Sequence, residues 1–250
     1  MSVRSEFSPG LGAMAKLPEV HSLRLLCEAP QLDFIVFDLQ HGAFAPQDVS
    51  HLLPMLQVAG KQVWCRVHPS QTGLVTWLSD LGVNAVLLPT IEQASEVTDV
   101  VQSLRYPPAG RRSVAGARLG AGPDSVETLV IPMIETQKGV AALPDIVTLD
   151  GVAGVFVGPA DLALDMAHPG AESIVGGDDA PQDYLDALQG IPLVAHAAHV
   201  RVGVHANTPL AIRKYASFKY DVFSVAVDVG VIREAYRAHL SQFDGVVNDE

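Results

Sequence analysis

Apolar residues along this chain fall into two alternating spacings. Short continuous runs of branched and aromatic residues, such as FIVF at 34–37 and AVLL at 85–88, each lead into a small or polar turn. A stretch then follows in which apolar positions recur every three or four residues. Continuous runs mark parallel strands buried on both faces, and the longer spacing marks amphipathic helices. The runs predict strands over Leu11–Leu17, Phe34–Phe37, Val63–Arg66, Ala85–Leu88, Val130–Ile134, Gly154–Val157, Val202–His205 and Asp221–Ala226. The helical spacing predicts helices over Glu19–Glu28, Pro46–Ala59, Thr72–Asp80, Ile91–Ser103, Gly139–Leu149, Gln182–His199, Pro209–Ala216 and Val229–Gln242. Strict alternation of this kind predicts an α/β fold of the (β/α)8 TIM-barrel type rather than an open doubly wound sheet. The Gly10-Leu11-Gly12 stretch does not continue into a GxGxxG turn, so a dinucleotide-binding sheet lacks its phosphate loop.

Composition narrows the picture. With 250 residues, 48% of them hydrophobic, the chain can bury one large core and is expected to form one barrel domain over residues 1–250. Two loops, 106–125 (YPPAGRRSVAGARLGAGPDS) and 167–181 (AHPGAESIVGGDDAP), are long enough to suggest a functional role. A formal charge of -12, from 28 acidic and 16 basic residues, repels phosphate-rich surfaces and argues against nucleic acid or anionic membrane as partners. Cys27 and Cys65 form no CxxC and no disulfide framework. The first residues lack the apolar core of a signal peptide, and no run reaches the length of a membrane span. A soluble, cytoplasmic protein is the expectation.

Barrels of this kind carry their chemistry at the C-terminal ends of the strands, so the polar residues that terminate each apolar run are the candidates. Asp38, with Gln40 and His41 just beyond it, ends the second run; Arg66 ends the third; Glu135, Asp161 and His205 follow the fifth, sixth and seventh. Glu135 and Asp161 are separated by a single βα unit, and two such carboxylates repel unless a proton or cation lies between them. An all-oxygen set suits a hard divalent ion that keeps water or substrate oxygens in its shell. Equally, Glu135 could pair with an arginine and Asp161 could cap a helix. His41 beside Asp38 is either a general base or a surface turn histidine. Arg66 leaves a buried strand and must meet anions, of the protein or of a substrate. His196, His199 and His205 lack the glutamate of HExxH, and no GxSxG elbow or Walker A loop is present. A Schiff-base lysine would have to be Lys16 or Lys138, the two lysines nearest a barrel mouth.

Six segments, DFIVFDLQHGAF, VWCRVHPS, LSDLGVNAVLLPTIEQASEV, RYPPAGRRSVAG, PMIETQKGV and GVAGVFVGPADLALDM, occur in the order and near the spacing of the HpcH/HpaI aldolase family. The resemblance runs from about Gly10 to Ala235, and the combination is specific where any one piece is not. It implies a class II pyruvate aldolase that uses Mg²⁺, Mn²⁺ or Co²⁺. By resemblance Glu135 and Asp161 are the metal ligands, Arg66 steadies the keto oxygen and enolate, and His41 with Asp80 forms the base dyad. Asp38 is the acidic partner in the strand-two motif. The backbone N–H groups of Ala160 and Asp161 receive the substrate carboxylate, with Gly158 also counted among the substrate-binding residues. The partners implied are a 2-oxo acid, an aldehyde and further copies of the chain, as a hexamer or trimer of dimers with the last helix exchanged between subunits and Asp80 acting across an interface. Two departures stand out: Met133 occupies a position where the family often has Gln, and the segment before PMIET is short. Other outcomes of the same metal-enolate site are an acyl-CoA lyase, with Arg105, Arg111, Arg112 and Arg118 for the phosphates, a decarboxylase or a hydratase. A catalytically silent barrel that binds a metabolite or partner is the reading from a different class.

Overall fold

The computed structural model describes residues 7, 10–114, 128–175 and 179–244. Eight strands, β1 (Gly10–Ala15), β2 (Phe34–Asp38), β3 (Gln62–Arg66), β4 (Ala85–Leu88), β5 (Leu129–Ile134), β6 (Gly154–Val157), β7 (Arg201–His205) and β8 (Val222–Val227), form a closed parallel barrel in sequential order. Around it run α1 (Val20–Glu28), α2 (Pro46–Val58), α3 (Thr72–Leu81), α4 (Ala94–Leu104), α5 (Gln137–Ile146), α6 (Pro159–Asp165), α7 (Gln182–Ala197), α8 (Pro209–Ser217) and α9 (Asp228–Leu240). This is the (β/α)8 barrel that the alternating pattern predicts.

Two cores account for the continuous apolar runs. Strand side chains of one parity, including Ile35, Phe37, Val63, Cys65, Val86 and Val155, pack outward against the helices. Those of the other parity, Met14, Phe34, Val36, Trp64, Leu87, Ile131, Met133 and Phe156, fill the barrel interior together with Phe7. Phe34 stacks on Trp64 with ring centroids 3.8 Å apart, and Phe7 closes on the same indole at 5.6 Å. Glycines on neighbouring staves make room for these rings: a Cβ on Gly12 would overlap the Phe34 ring, and one on Gly203 the Phe156 ring. Glycine here answers a close approach rather than a turn.

The same parity continues upward. Two residues beyond Trp64, Phe156 and Met133 come Arg66, Gly158 and Glu135, and the register pairs Asp38 with Arg66 across β2 and β3. Thus the packed interior hands over to a polar layer at the C-terminal mouth.

Three differences from the sequence expectation fall at the mouth of the barrel, while other element ends shift by one to three residues. The helix expected from Ile91 starts at Ala94, because Gln93 and Glu96 form a capping box and Ile91 is instead buried in the core. The helix expected from Gly139 begins at Gln137, where Thr136 caps it through a bond from Gly139 N. The short α6 falls within a stretch that carries no expected helix; with seven residues it is too brief to give a spacing signal. Beyond its first turn α9 leaves the barrel, and every residue from Gly230 to Leu240 is exposed.

Trp64→Ala should remove the centre of the interior stack and lower stability by about 3–5 kcal/mol. Urea unfolding followed by far-UV circular dichroism checks this, with the transition midpoint moving to lower urea.

Candidate active site

At the C-terminal mouth a cavity of about 210 Å³ is lined by Met14, Lys16, His41, Arg66, Met133, Glu135, Phe156, Gly158, Pro159, Ala160, Asp161, His205 and Val227. Arg66 is buried and sits against Asp38, which is fully buried. Its Nε donates to Asp38 Oδ1 at 2.9 Å and its Nη2 to Oδ2 at 2.6 Å, leaving Nη1 without an acceptor among the described residues. Asp38 Oδ1 also accepts from the backbone N–H groups of Gln40 and His41 at 3.1 and 3.0 Å. Burial alone would raise its affinity for a proton, but Arg66, the His41 N–H and Lys16 outweigh that and hold the carboxyl below its ordinary range. Asp38 therefore lies beneath the cavity as the anchor of Arg66 and of the turn that carries His41. The His41 side chain stands exposed at the rim.

Glu135 is buried, and its Oε2 accepts from Thr90 N at 2.7 Å and from Thr90 Oγ1 at 3.2 Å. Thr90 reaches it from a backbone with φ of 53°. Burial raises the Glu135 proton affinity, the Thr90 N–H lowers it, and the Asp161 charge raises it again. Glu135 Oε1 accepts no hydrogen bond among the described residues and packs over Gly158, where a Cβ would lie 2.8 Å from Glu135 Cγ and closer still to Oε1. A glycine at 158 is thus the condition for the carboxylate to reach the cavity.

Asp161 sits at the third position of α6, exposed and with no hydrogen-bond or ion-pair partner among the described residues. It makes no capping hydrogen bond, and among the described residues neither acid forms an ion pair with an arginine. The Ala160 and Asp161 N–H groups, in the first turn of α6, have no acceptor among the described residues. Tyr184, fully buried on α7, donates its hydroxyl to Pro159 O at 2.8 Å and pins this turn from behind.

A divalent ion fits this donor set. Among the described residues no cluster of three or more His, Cys, Asp or Glu could hold a metal. One or two carboxylates are nevertheless the usual protein share of a Mg²⁺ shell completed by water and substrate oxygens, and among the described residues Glu135 has an oxygen without a donor and Asp161 has no partner.

Other candidates fall elsewhere. Asp80 lies near the C-terminal end of α3, which runs antiparallel to the strands. At 1.5 Å per residue that puts it about 12 Å down from the mouth, away from His41 of its own chain. Its Oδ1 accepts from Arg112 Nη2 at 2.6 Å. Lys138 is exposed and pairs with Glu92 at 3.4 Å, so of the two lysines considered for a Schiff base only Lys16 lines the cavity. Arg105 and Arg111 are engaged by Asp150 at 2.7 Å and Asp99 at 3.2 Å, and Arg118 lies outside the described residues, so nothing described favours a phosphate-binding rim. Met133 lines the cavity where a glutamine was expected by resemblance. Thr90 is the residue that sequence reading missed; a Thr after a Pro carries no signal of a left-handed backbone.

His205 is burial-dominated. Its proton affinity is depressed to about 4, first by burial and then by the charges of Arg66 and Lys16, and its Nδ1 lies 3.2 Å from Ser224 Oγ.

The model of the HpcH/HpaI aldolase/citrate lyase family matches residues 21–234. A hydroxypyruvate/pyruvate aldolase of Roseovarius nubinhibens is 30% identical over 243 residues, covering 93% of this chain and 91% of its own. A pyruvate aldolase of Rhizobium etli is 34% identical over 245 residues, covering 93% and 92%. A solved HpcH/HpaI aldolase/citrate lyase family protein of Burkholderia cenocepacia superposes with a TM-score of 0.83 at 27% identity, over 96% of each chain.

A depressed histidine opposes folding only where the unfolded chain takes up its proton and the folded one does not. Stability linked to His205 is therefore complete above the ordinary histidine range and declines as the pH falls from 6.5 toward 4. Ring resonances of His205 in a proton–carbon NMR titration should stay in the neutral form until about pH 4.

Proposed function

Because the chain belongs to the HpcH/HpaI aldolase/citrate lyase family and is a carbon–carbon lyase, we propose that it is a divalent-metal-dependent aldolase. Its substrate is a 2-oxo-4-hydroxy acid, cleaved to pyruvate or a similar 2-oxo acid and an aldehyde, or formed from them in reverse. What carries this reading is that Glu135, Asp161, Arg66 and His41 line one cavity.

Each residue has a task set by its surroundings. Glu135 and Asp161 are the pair that would hold Mg²⁺, Mn²⁺ or Co²⁺; when bound, such an ion polarises the C2 carbonyl and lowers the cost of negative charge beside it. The N–H groups of Ala160 and Asp161, beside Gly158, receive the substrate carboxylate. His41 removes the proton of the C4 hydroxyl, directly or through water. The C4–O bond becomes a carbonyl as the C3–C4 bond breaks, and the bonding pair moves into a C2–C3 enolate. Arg66, held on Asp38 through Nε and Nη2 and with Nη1 uncommitted among the described residues, sets positive charge beside the enolate oxygen. The aldehyde departs, and C3 takes up a proton to give the 2-oxo acid.

The active unit is a homo-oligomer. Along α9, Ile232, Tyr236 and Leu240 share one face and are 37%, 65% and 60% exposed, and Phe243 just beyond is 53% exposed. Val225, Ala226 and Val227 of β8, which the helix leaves behind, are only half-buried. The stripe and the uncovered flank are complementary apolar surfaces, and a second copy offers both. Such an arrangement also supports the reading in which Asp80 joins His41 of a neighbouring copy.

Exhaustive chelation with EDTA should abolish pyruvate release from a 2-oxo-4-hydroxy acid, and Mg²⁺, Mn²⁺ or Co²⁺ should restore it; activity that survives chelation refutes the reading. Glu135→Gln should weaken metal binding, measured by calorimetry, by about 10–100-fold or more. For the assembly, light scattering behind a sizing column should give a multiple of the monomer mass for the native chain and a monomer for the double variant Tyr236→Glu, Leu240→Glu.

A further inference from the structure

The two carboxylates that face the cavity stand on segments tied to each other both before and after them. Before them, β5 and β6 are in register at Met133 with Phe156 and Ile134 with Val157, and Gly158 N donates to Ile134 O at 3.3 Å. Glu135 and Asp161 both lie past that bond. After them, the start of α5 meets the end of α6. Gln137 N donates to Asp165 Oδ2 at 2.7 Å, and Gln137 Nε2 donates to Asp165 O at 2.9 Å and to Oδ2 at 3.3 Å. Each helix thereby supplies what the end of the other lacks. The Gln137 N–H is the first of α5 and finds no carbonyl within its own helix; Thr136 accepts from Gly139 N, and the Asp165 carboxylate is a favourable acceptor at that end. The Asp165 carbonyl, the last of α6, is in turn one that no later helical N–H reaches.

We propose, resting on the divalent-metal reading above, that the clasp between Gln137 and Asp165 is a positioning device: it sets the spacing of Glu135 and Asp161 and so gauges the ion they accept. The connectivity closes a small ring. Gln137 follows Glu135 by two residues, and Asp165 follows Asp161 by four, about 6 Å along α6. With the strand bond before the acids and the clasp after them, neither segment shifts without the other. The seven residues of α6 are too few to hold their own place; Tyr184 fixes the start of the helix through Pro159 O, and the clasp fixes its end. Gln137 and Asp165 are exposed and stand outside the cavity, so their bonds add little to the stability of the barrel. Their consequence is local. Mg²⁺ demands near-ideal octahedral geometry at about 2.0–2.1 Å, whereas Ca²⁺ accepts looser shells at about 2.3–2.6 Å. A fixed pair of carboxylates favours the smaller ion, and a slackened pair gives up that preference.

The test is calorimetry on the metal-free full chain, native and in three variants, with Mg²⁺, Mn²⁺ and Ca²⁺ as probes. Asp165→Ala removes the carboxylate half of the clasp, and Gln137→Ala removes the amide half at unchanged charge. Asp165→Asn deletes the charge but keeps an acceptor for the Gln137 N–H. The native chain should prefer Mg²⁺ and Mn²⁺ to Ca²⁺. In Asp165→Ala the Mn²⁺ affinity should fall about 10-fold, and the ratio of Mn²⁺ to Ca²⁺ affinity should fall with it. Gln137→Ala should move both in the same direction, and Asp165→Asn should recover most of the loss. Urea midpoints of all three variants should stay close to the native one, because both residues are exposed. Native affinity in Asp165→Ala and Gln137→Ala, or a loss of affinity that leaves the ion ratio unchanged, overturns the assignment. So do equal losses in Asp165→Ala and Asp165→Asn with none in Gln137→Ala, which trace the effect to the Asp165 charge acting at a distance. A native chain that takes up none of the three ions rejects the divalent-metal reading, and the clasp with it.

Discussion

The buried pair between Arg66 and Asp38 is the constraint on which the site depends. Register places the two residues directly opposite on neighbouring staves, so two bonds of 2.9 and 2.6 Å form between them. Two charges inside a barrel cost several kcal/mol each in lost hydration, and only a fully satisfied geometry offsets that. Asp38 meets the condition by accepting the His41 and Gln40 N–H groups as well, which ties the turn after β2 to the guanidinium after β3. The pair adds little to stability compared with apolar side chains of the same volume. What it secures is orientation: Arg66 lines the cavity with its Nη1 free of acceptors among the described residues.

The opposite half of the mouth is organised by carboxylates rather than by their neutralisation. Among the described residues Glu135 is held by Thr90 alone and admitted by the missing side chain of Gly158, and Asp161 has no partner on the first turn of α6, which Tyr184 fixes from below. The Asp161 charge makes Glu135 a better proton acceptor, an arrangement that penalises the bare site and favours a bound cation. Positive charge on one side and negative charge on the other give the cavity a polarity that orders a substrate end to end.

Much of this could be read before any coordinates. The alternation of apolar runs with helical spacing was enough for the barrel, and the rule that chemistry lies at strand ends singled out Arg66, Glu135, Asp161 and His41. The strand parity was also present in the sequence: the residues that put Trp64, Phe156 and Met133 inside necessarily put Arg66, Gly158 and Glu135 inside two positions later. That parity is hard to see because both faces of each strand are apolar, and glycines stand where the facing rings need space. Asp80 shows the limit. The resemblance marked it as a site residue, but the antiparallel run of α3 carries it away from the mouth of its own barrel, where it meets Arg112. Lys16 was visible only as a lysine near a mouth; its direction comes from the capping of its backbone by Asp228, more than two hundred residues away in sequence.

Thr90 has one more consequence. A β-branched residue at φ of 53° costs on the order of 1–3 kcal/mol against an ordinary backbone, and glycine would relieve that cost while giving up the hydroxyl that steadies Glu135. The barrel thus keeps a small reserve of unspent stability at the foot of one acid, where selection for folding and selection for chemistry pull on the same residue in opposite senses.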